Sequence, residues 1–293
     1  MSATPDVEPA VENPYLRGLV IGPRLRTKVA WLWIALVLLF AAIASMLEEQ
    51  ILAGVVFIAL ALGVLVAMRP RGGALRPLAG GPLARETQAL ELARLRGDVG
   101  EVIGRAHGLL RRTAAGTSRA TAFAALAGCA EQQGDVRWAR ELYARALDES
   151  GWGPGKRSRV GAFMGPSLVA RHAFTLAAEG RLDEANAELA RASHDDEHPV
   201  ARYLAVRAQA LVLVRQRRFA DALALLDQHR ALLRYGANVR DRLLLHVMGA
   251  WSRASLEGTF RGALPELSGA DPKLCAWVAG VLPEAASLVG GAS

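Results

Sequence analysis

The chain has 293 residues, of which 52% are hydrophobic, and its formal net charge is +7 at pH 7. The basic residues form no clustered stripe, which excludes the usual signature of a nucleic-acid-binding protein. Cys129 and Cys275 each lie among apolar residues, so we expect two buried thiols and no disulfide.

The N-terminal part contains two uncharged apolar runs, at residues 29–47 and 51–68, separated only by Glu48-Glu49-Gln50. Each run is about long enough to cross a hydrocarbon core of roughly 30 Å as a helix. Because the connection is so short, the sequence predicts an antiparallel transmembrane hairpin over residues 29–68. Residues 1–28 are expected to form a disordered and juxtamembrane tail, and the Gly- and Pro-rich residues 69–83 a linker.

Basic residues flank the open ends of this hairpin and are absent from its closed end. They are Arg17, Arg24, Arg26 and Lys28 before the first run, and Arg69, Arg71, Arg76 and Arg85 after the second. Since Lys and Arg near membrane spans are retained in the cytoplasm, we expect an integral protein of a bacterial inner membrane with both termini cytoplasmic. The lipid bilayer is then its first expected partner.

Two other interpretations of the apolar runs remain open. Ala42-Ile43-Ala44 matches the A-x-A pattern of a signal-peptide cleavage site, although 28 residues precede the run. Buried core helices would also be apolar, but such helices usually keep one polar stripe. Neither run contains an ionisable residue, which argues against an ion or proton path within the membrane.

From residue 84 to 293, apolar residues recur at helical spacing and turn residues interrupt them at intervals, which predicts an all-α domain. The clearest unit, residues 120–150, has two helices with small residues at Ala127, Ala139 and Ala146. Gly134 lies between the helices, and Tyr143 is a bulky residue on the second helix. The spacing returns in residues 168–193 at Ala173, Gly180, Ala185, Leu189 and Ala192. It returns more loosely in residues 201–230 at Ala210, Phe219, Ala222 and Leu226, where Arg217 replaces the turn glycine and His229 the last alanine.

This arrangement resembles the tetratricopeptide repeat (TPR), whose units are helix pairs with small residues at the crossings and a turn glycine between them. A degenerate first copy spans residues 85–112, with Ala93, Gly97, Val102 and Ala106. The positions Val102, Ala139, Ala185 and Ala222 are separated by 37, 46 and 37 residues, against about 34 in the family. The resemblance implies a TPR-like α-solenoid, with helices over residues 238–258 and 271–282 capping its open end. The alternative is an ordinary bundle of Ala-rich helices.

Two motifs invite a catalytic interpretation. His194, Glu197 and His198 fit the zinc-peptidase pattern H-x-x-E-H, but Pro199 follows directly and works against the continuous helix that such a site needs. Residues 151–158 (GWGPGKRS) resemble a phosphate-binding loop, but Ser150 stands where the first glycine is required and Arg157 where Ser or Thr is required. The longer segment 151–166 is a candidate site for a partner or an anionic headgroup.

We therefore expect no catalytic residue, no bound metal and no cofactor. The function expected from the sequence is that of a membrane-anchored cytoplasmic scaffold whose helical repeats bind an unidentified protein or peptide. The alternatives are a zinc peptidase centred on His194, Glu197 and His198, and an assembly factor that acts through its membrane hairpin.

Overall fold

The structure is a computed structural model, and it describes only part of the chain. The described residues are 13–17, 19, 33–41, 43, 56, 58–60, 82–113, 116–153, 156–157, 159–192, 199–236, 238–259 and 271–289.

From Pro82 onward the described chain consists mainly of helices joined by short turns. They are α1 (Pro82–Arg96), α2 (Val99–Arg112), α3 (Gly116–Gln133), α4 (Val136–Ser150), α5 (Arg159–Ala178), α6 (Leu182–Ala192), α7 (Pro199–Arg215), α8 (Phe219–Gln228), α9 (Arg230–Gly236), α10 (Val239–Glu257) and α11 (Pro272–Val281). Short 3-10 helices lie at Pro14–Leu16 and Pro283–Val289. The prediction of an all-α fold is confirmed, apart from an antiparallel pair of two-residue strands, β1 (Trp152–Gly153) and β2 (Lys156–Arg157).

Among the described residues, no helix is both long and apolar enough to cross a membrane. Most of residues 29–68 lies outside the described residues, and within the first apolar run residues 33–41 are helical. The structure thus gives no support to the predicted transmembrane hairpin.

The chain divides into two compact units, Met1–Ala122 and Phe123–Ser293. In the first unit α1 packs against α2, and Leu90, Ala93, Val102 and Ala106 are buried in their contact. The ring Nε2 of His107 in α2 donates to the backbone carbonyl of Tyr15 at 2.7 Å. This bond ties the N-terminal 3-10 helix to the helix pair.

In the second unit, consecutive helices pack as neighbours. α5 contacts α4, α6 and α7, α7 contacts α8, and α8 and α10 pack together. Small residues permit close packing, and the alanines at the predicted crossings are buried: Ala127, Ala139, Ala146, Ala173, Ala185, Ala210 and Ala222. Tyr143, the bulky residue of the first clear unit, is also fully buried.

Both cysteines lie in this second unit, where Cys129 and Cys275 are buried and are not joined in a disulfide, as the sequence predicts.

The turns inside the helix pairs share one backbone geometry. Gly97, Gly134 and Gly180 adopt φ values of 76°, 84° and 83°, and Arg217 adopts 59°. Each turn closes with two backbone hydrogen bonds of the Schellman type, for example Arg217 N–H to the Val214 carbonyl and Arg218 N–H to the Leu213 carbonyl, both at 2.9 Å. Arg217 therefore occupies the left-handed conformation that glycine occupies in the other three pairs, and it is the position where the sequence lacks the turn glycine.

This geometry predicts opposite effects for two substitutions. Arg217 is exposed, so Arg217→Gly removes strain in the left-handed region and should raise the free energy of unfolding by up to about 1 kcal/mol. Gly134→Ala should lower it by about 1 kcal/mol, because an added Cβ meets no atom within 4 Å and only the backbone is strained. Urea denaturation followed by circular dichroism measures both.

Gly128, in the middle of α3, is the matched control. A Cβ there also meets nothing within 4 Å, but the backbone is helical, so Gly128→Ala should stabilise the protein. Equal effects of alanine at positions 128 and 134 would contradict the assignment of strain to the turn.

Candidate functional site

Five helices of the second unit meet at a buried network of charged and phenolic side chains. Arg207 of α7 is at its centre and is 3% exposed. Its guanidinium donates to Asp241 Oδ1 of α10 at 2.5 Å and to Glu131 Oε1 of α3 at 3.1 Å. It also lies 3.9 Å from the ring centroid of Phe174 in α5, a cation–π distance.

Two tyrosines and a second arginine complete the network. The Tyr203 hydroxyl donates to Asp241 Oδ2 at 2.7 Å, and the Tyr143 hydroxyl donates to Glu131 Oε2 at 2.8 Å. Arg171 of α5 donates to the Tyr143 oxygen at 3.1 Å. Each oxygen of both buried carboxylates is thus hydrogen-bonded, which is the condition under which buried ions are tolerated.

The electrostatics of this network fix its charges. Burial opposes ionisation of Asp241, but Arg207 and the hydrogen bonds from Tyr203 and Arg207 outweigh it and hold the pKa of that carboxyl below its ordinary value. Burial raises the pKa of Tyr143 and Tyr203 well above the usual value, so both phenols stay protonated. An ionised Asp241 and neutral phenols suit the positioning of helices better than proton transfer at neutral pH.

Helix α11 contacts both α10 and α3, the first helix of this unit. It packs against α10, and the indole N–H of Trp277 donates to the backbone carbonyl of Glu131 in α3 at 2.7 Å. The helix expected to cap the open end of the stack is therefore present, but it also reaches the first helix of the unit.

A second feature is an open groove of about 430 Å³ between α8, α9 and α10. Its walls carry exposed cationic side chains, and its floor is made of leucines. The arginines are Arg230 and Arg234 on α9 and Arg242 and Arg253 on α10; the floor contains Leu223, Leu226, Leu233 and Leu245.

The charge of the groove is uncompensated. Asp227 is the one acidic residue among those that line it. Among the described residues, none of the four groove arginines forms an ion pair, whereas several other arginines of the unit do, as Arg218 does with Asp221 at 2.7 Å. Four arginines against one aspartate give the groove a net positive charge, which makes it a candidate anion-binding surface.

His172 of α5 is a half-buried titratable group outside both features. Its Nδ1 has no hydrogen-bond partner and lies 3.9 Å from Glu188 Oε1 of α6, beyond hydrogen-bond distance. Burial, together with the positive charges of Arg140, Arg181 and Arg191, lowers its pKa from 6.5 to about 4. The ring is therefore neutral near pH 7.

The catalytic motifs considered from the sequence do not gain structural support. Residues 194–198 lie outside the described residues, and so do residues 154, 155 and 158 of the segment 151–158. Of the loop 151–166, the structure places the Trp152 ring against α5, where a Cβ on Gly165 would come within 2.3 Å of it. No group of three or more His, Cys, Asp or Glu side chains suited to a metal occurs in the part of the chain that the structure describes.

The chain matches no protein-family model, no curated protein and no solved structure.

Sequence reasoning missed both the buried network and the groove. Arg207 could have been singled out, because it is the one charge in the apolar stretch 203–214, and a lone cation there requires a buried acid. The groove had a weaker signal in Arg242, His246, Gly249 and Arg253, whose spacing places them on one face of a helix.

Proposed function

We propose that this protein is a binding scaffold: a stack of helix pairs that presents a surface to a partner protein and is held at the cytoplasmic face of a membrane. The observation that carries the proposal is the groove between α8, α9 and α10, which combines four exposed, unpaired arginines with a leucine floor. Concave sites with an apolar floor and a few convergent polar groups are typical of ligand binding.

The stack gives this surface a rigid support. α10, which forms one wall of the groove, also carries Asp241, the carboxylate that anchors Arg207 of α7. Breaking that ion pair would leave a buried charge, so the position of α10 relative to α7 is strongly fixed. A groove on fixed helices binds without a large ordering cost.

A TPR-like architecture is consistent with this role. The turn conformations recur at Gly97, Gly134, Gly180 and Arg217, and the small residues at the expected crossings are buried. Arrays of such helix pairs bind peptides and partner helices on extended surfaces.

The membrane anchor is proposed from the sequence, on the two uncharged apolar runs and the basic residues that flank them. In residues 33–41, Trp33, Val37 and Phe40 are 63%, 62% and 66% exposed. Large apolar side chains exposed along a helix need an apolar environment. The basic residues flanking both runs place the termini in the cytoplasm under the positive-inside rule.

Proximity labelling in intact cells tests the scaffold and its orientation together. A biotin ligase fused after Ser293 of the full chain should label a defined set of cytoplasmic proteins. The matched control is the same ligase fused after residue 83, which keeps the apolar runs and omits the helical domain.

The proposal predicts that partners of the full chain are lost in this control. Identical labelled sets would refute the scaffold and support the assembly factor that acts through its hairpin. No labelling of cytoplasmic proteins by a stable, membrane-bound fusion would refute the cytoplasmic orientation.

A further inference from the structure

We propose that the groove between α8, α9 and α10 binds an acidic amphipathic helix of a partner protein, with the partner's apolar side chains on the leucine floor and its carboxylates on the arginines. This inference rests on the proposed scaffold function and specifies the chemistry of the partner. Four properties of the groove carry it.

The first property is the length and regularity of the α10 wall. Arg242, His246, Gly249 and Arg253 line the groove at spacings of four, three and four residues, so they lie on one face of the helix. At 1.5 Å per residue, the stripe from Arg242 to Arg253 is about 16 Å long. This length matches about three turns of a helix lying alongside.

The second property is the depth of the apolar floor. Leu233 is buried, and Leu226 and Leu245 are half-buried, whereas the groove arginines are exposed. The apolar surface is therefore recessed below the charges. A partner must insert protruding side chains to reach it, which a helix with apolar residues at i, i+4 and i+7 does. A flat bilayer surface would meet the arginines but could not reach the floor.

The third property is the glycine in the middle of the wall. A Cβ added to Gly249 would lie 3.9 Å from Leu226 Cδ1, an ordinary van der Waals distance, so packing inside the protein does not require glycine there. The missing side chain leaves room in the groove between His246 and Arg253.

The fourth property is the distribution of charge. Arg230 and Arg234 lie on α9 and Arg242 and Arg253 on α10, so cations line both walls, with Asp227 as the one acidic lining residue. Carboxylates on both flanks of an inserted apolar row would meet arginines on each side. A basic or neutral helix would leave these arginines uncompensated and gain no electrostatic steering.

Selection from a displayed library of random 16-residue peptides tests the proposal with the purified full chain in neutral nanodiscs. Enriched peptides should carry net negative charge and apolar residues at i, i+4 and i+7. Their dissociation constants, measured by fluorescence anisotropy, should rise at least about tenfold for Arg242→Glu/Arg253→Glu and rise with salt.

Two further variants separate groove binding from loss of fold or from general charge effects. Gly249→Leu fills the centre of the groove without changing charge or breaking the helix, and should also weaken binding about tenfold. Arg202→Glu/Lys273→Glu makes the same charge change at exposed positions that do not line the groove, and should change affinity less than twofold.

Enriched peptides without an acidic bias, or binding that is equal in the groove variants and the control, would overturn the proposal. So would a failure to enrich any peptide. Dihexanoyl phosphatidylglycerol, a soluble anionic lipid, tests the other source of anions: binding of this lipid through Arg242 and Arg253 in the absence of peptide binding would assign the groove to headgroups.

Proximity labelling with Arg242→Glu/Arg253→Glu distinguishes this failure from failure of the scaffold itself. Partners that depend on the helical domain but persist in this variant would refute the groove and leave the scaffold function standing.

Discussion

Replacement of Arg207 by methionine is expected to lower the free energy of unfolding by about 3–5 kcal/mol, the largest effect of any single substitution considered for this protein. Methionine fills similar space beside Phe174 but removes the cation that compensates Asp241 and Glu131. Asp241 would keep only its bond from Tyr203 and would remain buried. The loss of stability therefore comes mainly from a buried Asp241 carboxylate without its counterion, and less from lost packing.

Urea denaturation of the full chain, followed by circular dichroism, measures this loss. Arg202→Met is the matched control, because Arg202 lies on the same helix but is exposed, and it should change stability by less than about 0.5 kcal/mol. Adding Asp241→Asn to Arg207→Met should cost much less than Asp241→Asn alone, since the charge is then removed with its partner. A loss below 1 kcal/mol for Arg207→Met would show that the network is not an obligatory part of the core.

Acidification is expected to destabilise the second unit through His172. The folded pKa of about 4 lies below the ordinary 6.5, so the unfolded chain binds a proton at this ring over a range where the folded protein does not. By linkage, stability is unaffected above about pH 7 and falls as the pH drops from 6.5 towards 4. The loss should reach up to about 3 kcal/mol at pH 4, given about 1.4 kcal/mol per pH unit.

His172→Leu removes the titrating group and should flatten this slope between pH 7 and 4.5. His246→Leu, which removes an exposed histidine from α10, should retain it. Urea denaturation at several pH values measures both slopes. Because the pKa of Asp241 is held below its ordinary value, its contribution to the free energy of unfolding is lost only below about pH 4. The contribution of His172 is lost at higher pH, so the two groups act over different pH ranges. An unchanged slope in His172→Leu would contradict the assignment.

The sequence predicts the repeated local features of the fold well, because short-range patterns determine them. Gly134 and Gly180 mark turns through their freedom at positive φ, and Ala139 and Ala185 mark crossings through their size. Arg217 is the one turn position without a glycine, and it adopts the same left-handed conformation as the turn glycines.

The sites could not be predicted in the same way, because their residues meet only in the folded chain. Glu131, Arg207 and Asp241 come from three helices and are 76 and 34 residues apart along the chain. Periodicity assigns each to a helix but does not say which helices face one another. The groove likewise needs α8 and α9 opposite α10, and the stripe on α10 alone is indistinguishable from an ordinary solvated helix face.

The bond between the Trp277 indole and the Glu131 carbonyl joins residues 146 positions apart and bears on how the domain is made in the cell. A chain of helix pairs that contacted only its neighbours could fold progressively as it leaves the ribosome. Here α3 lacks this contact until α11, more than 140 residues further along the chain, has been synthesised. Helices made earlier therefore remain in an incomplete arrangement until then, so we expect the unit to complete its native packing only after α11 has left the ribosome.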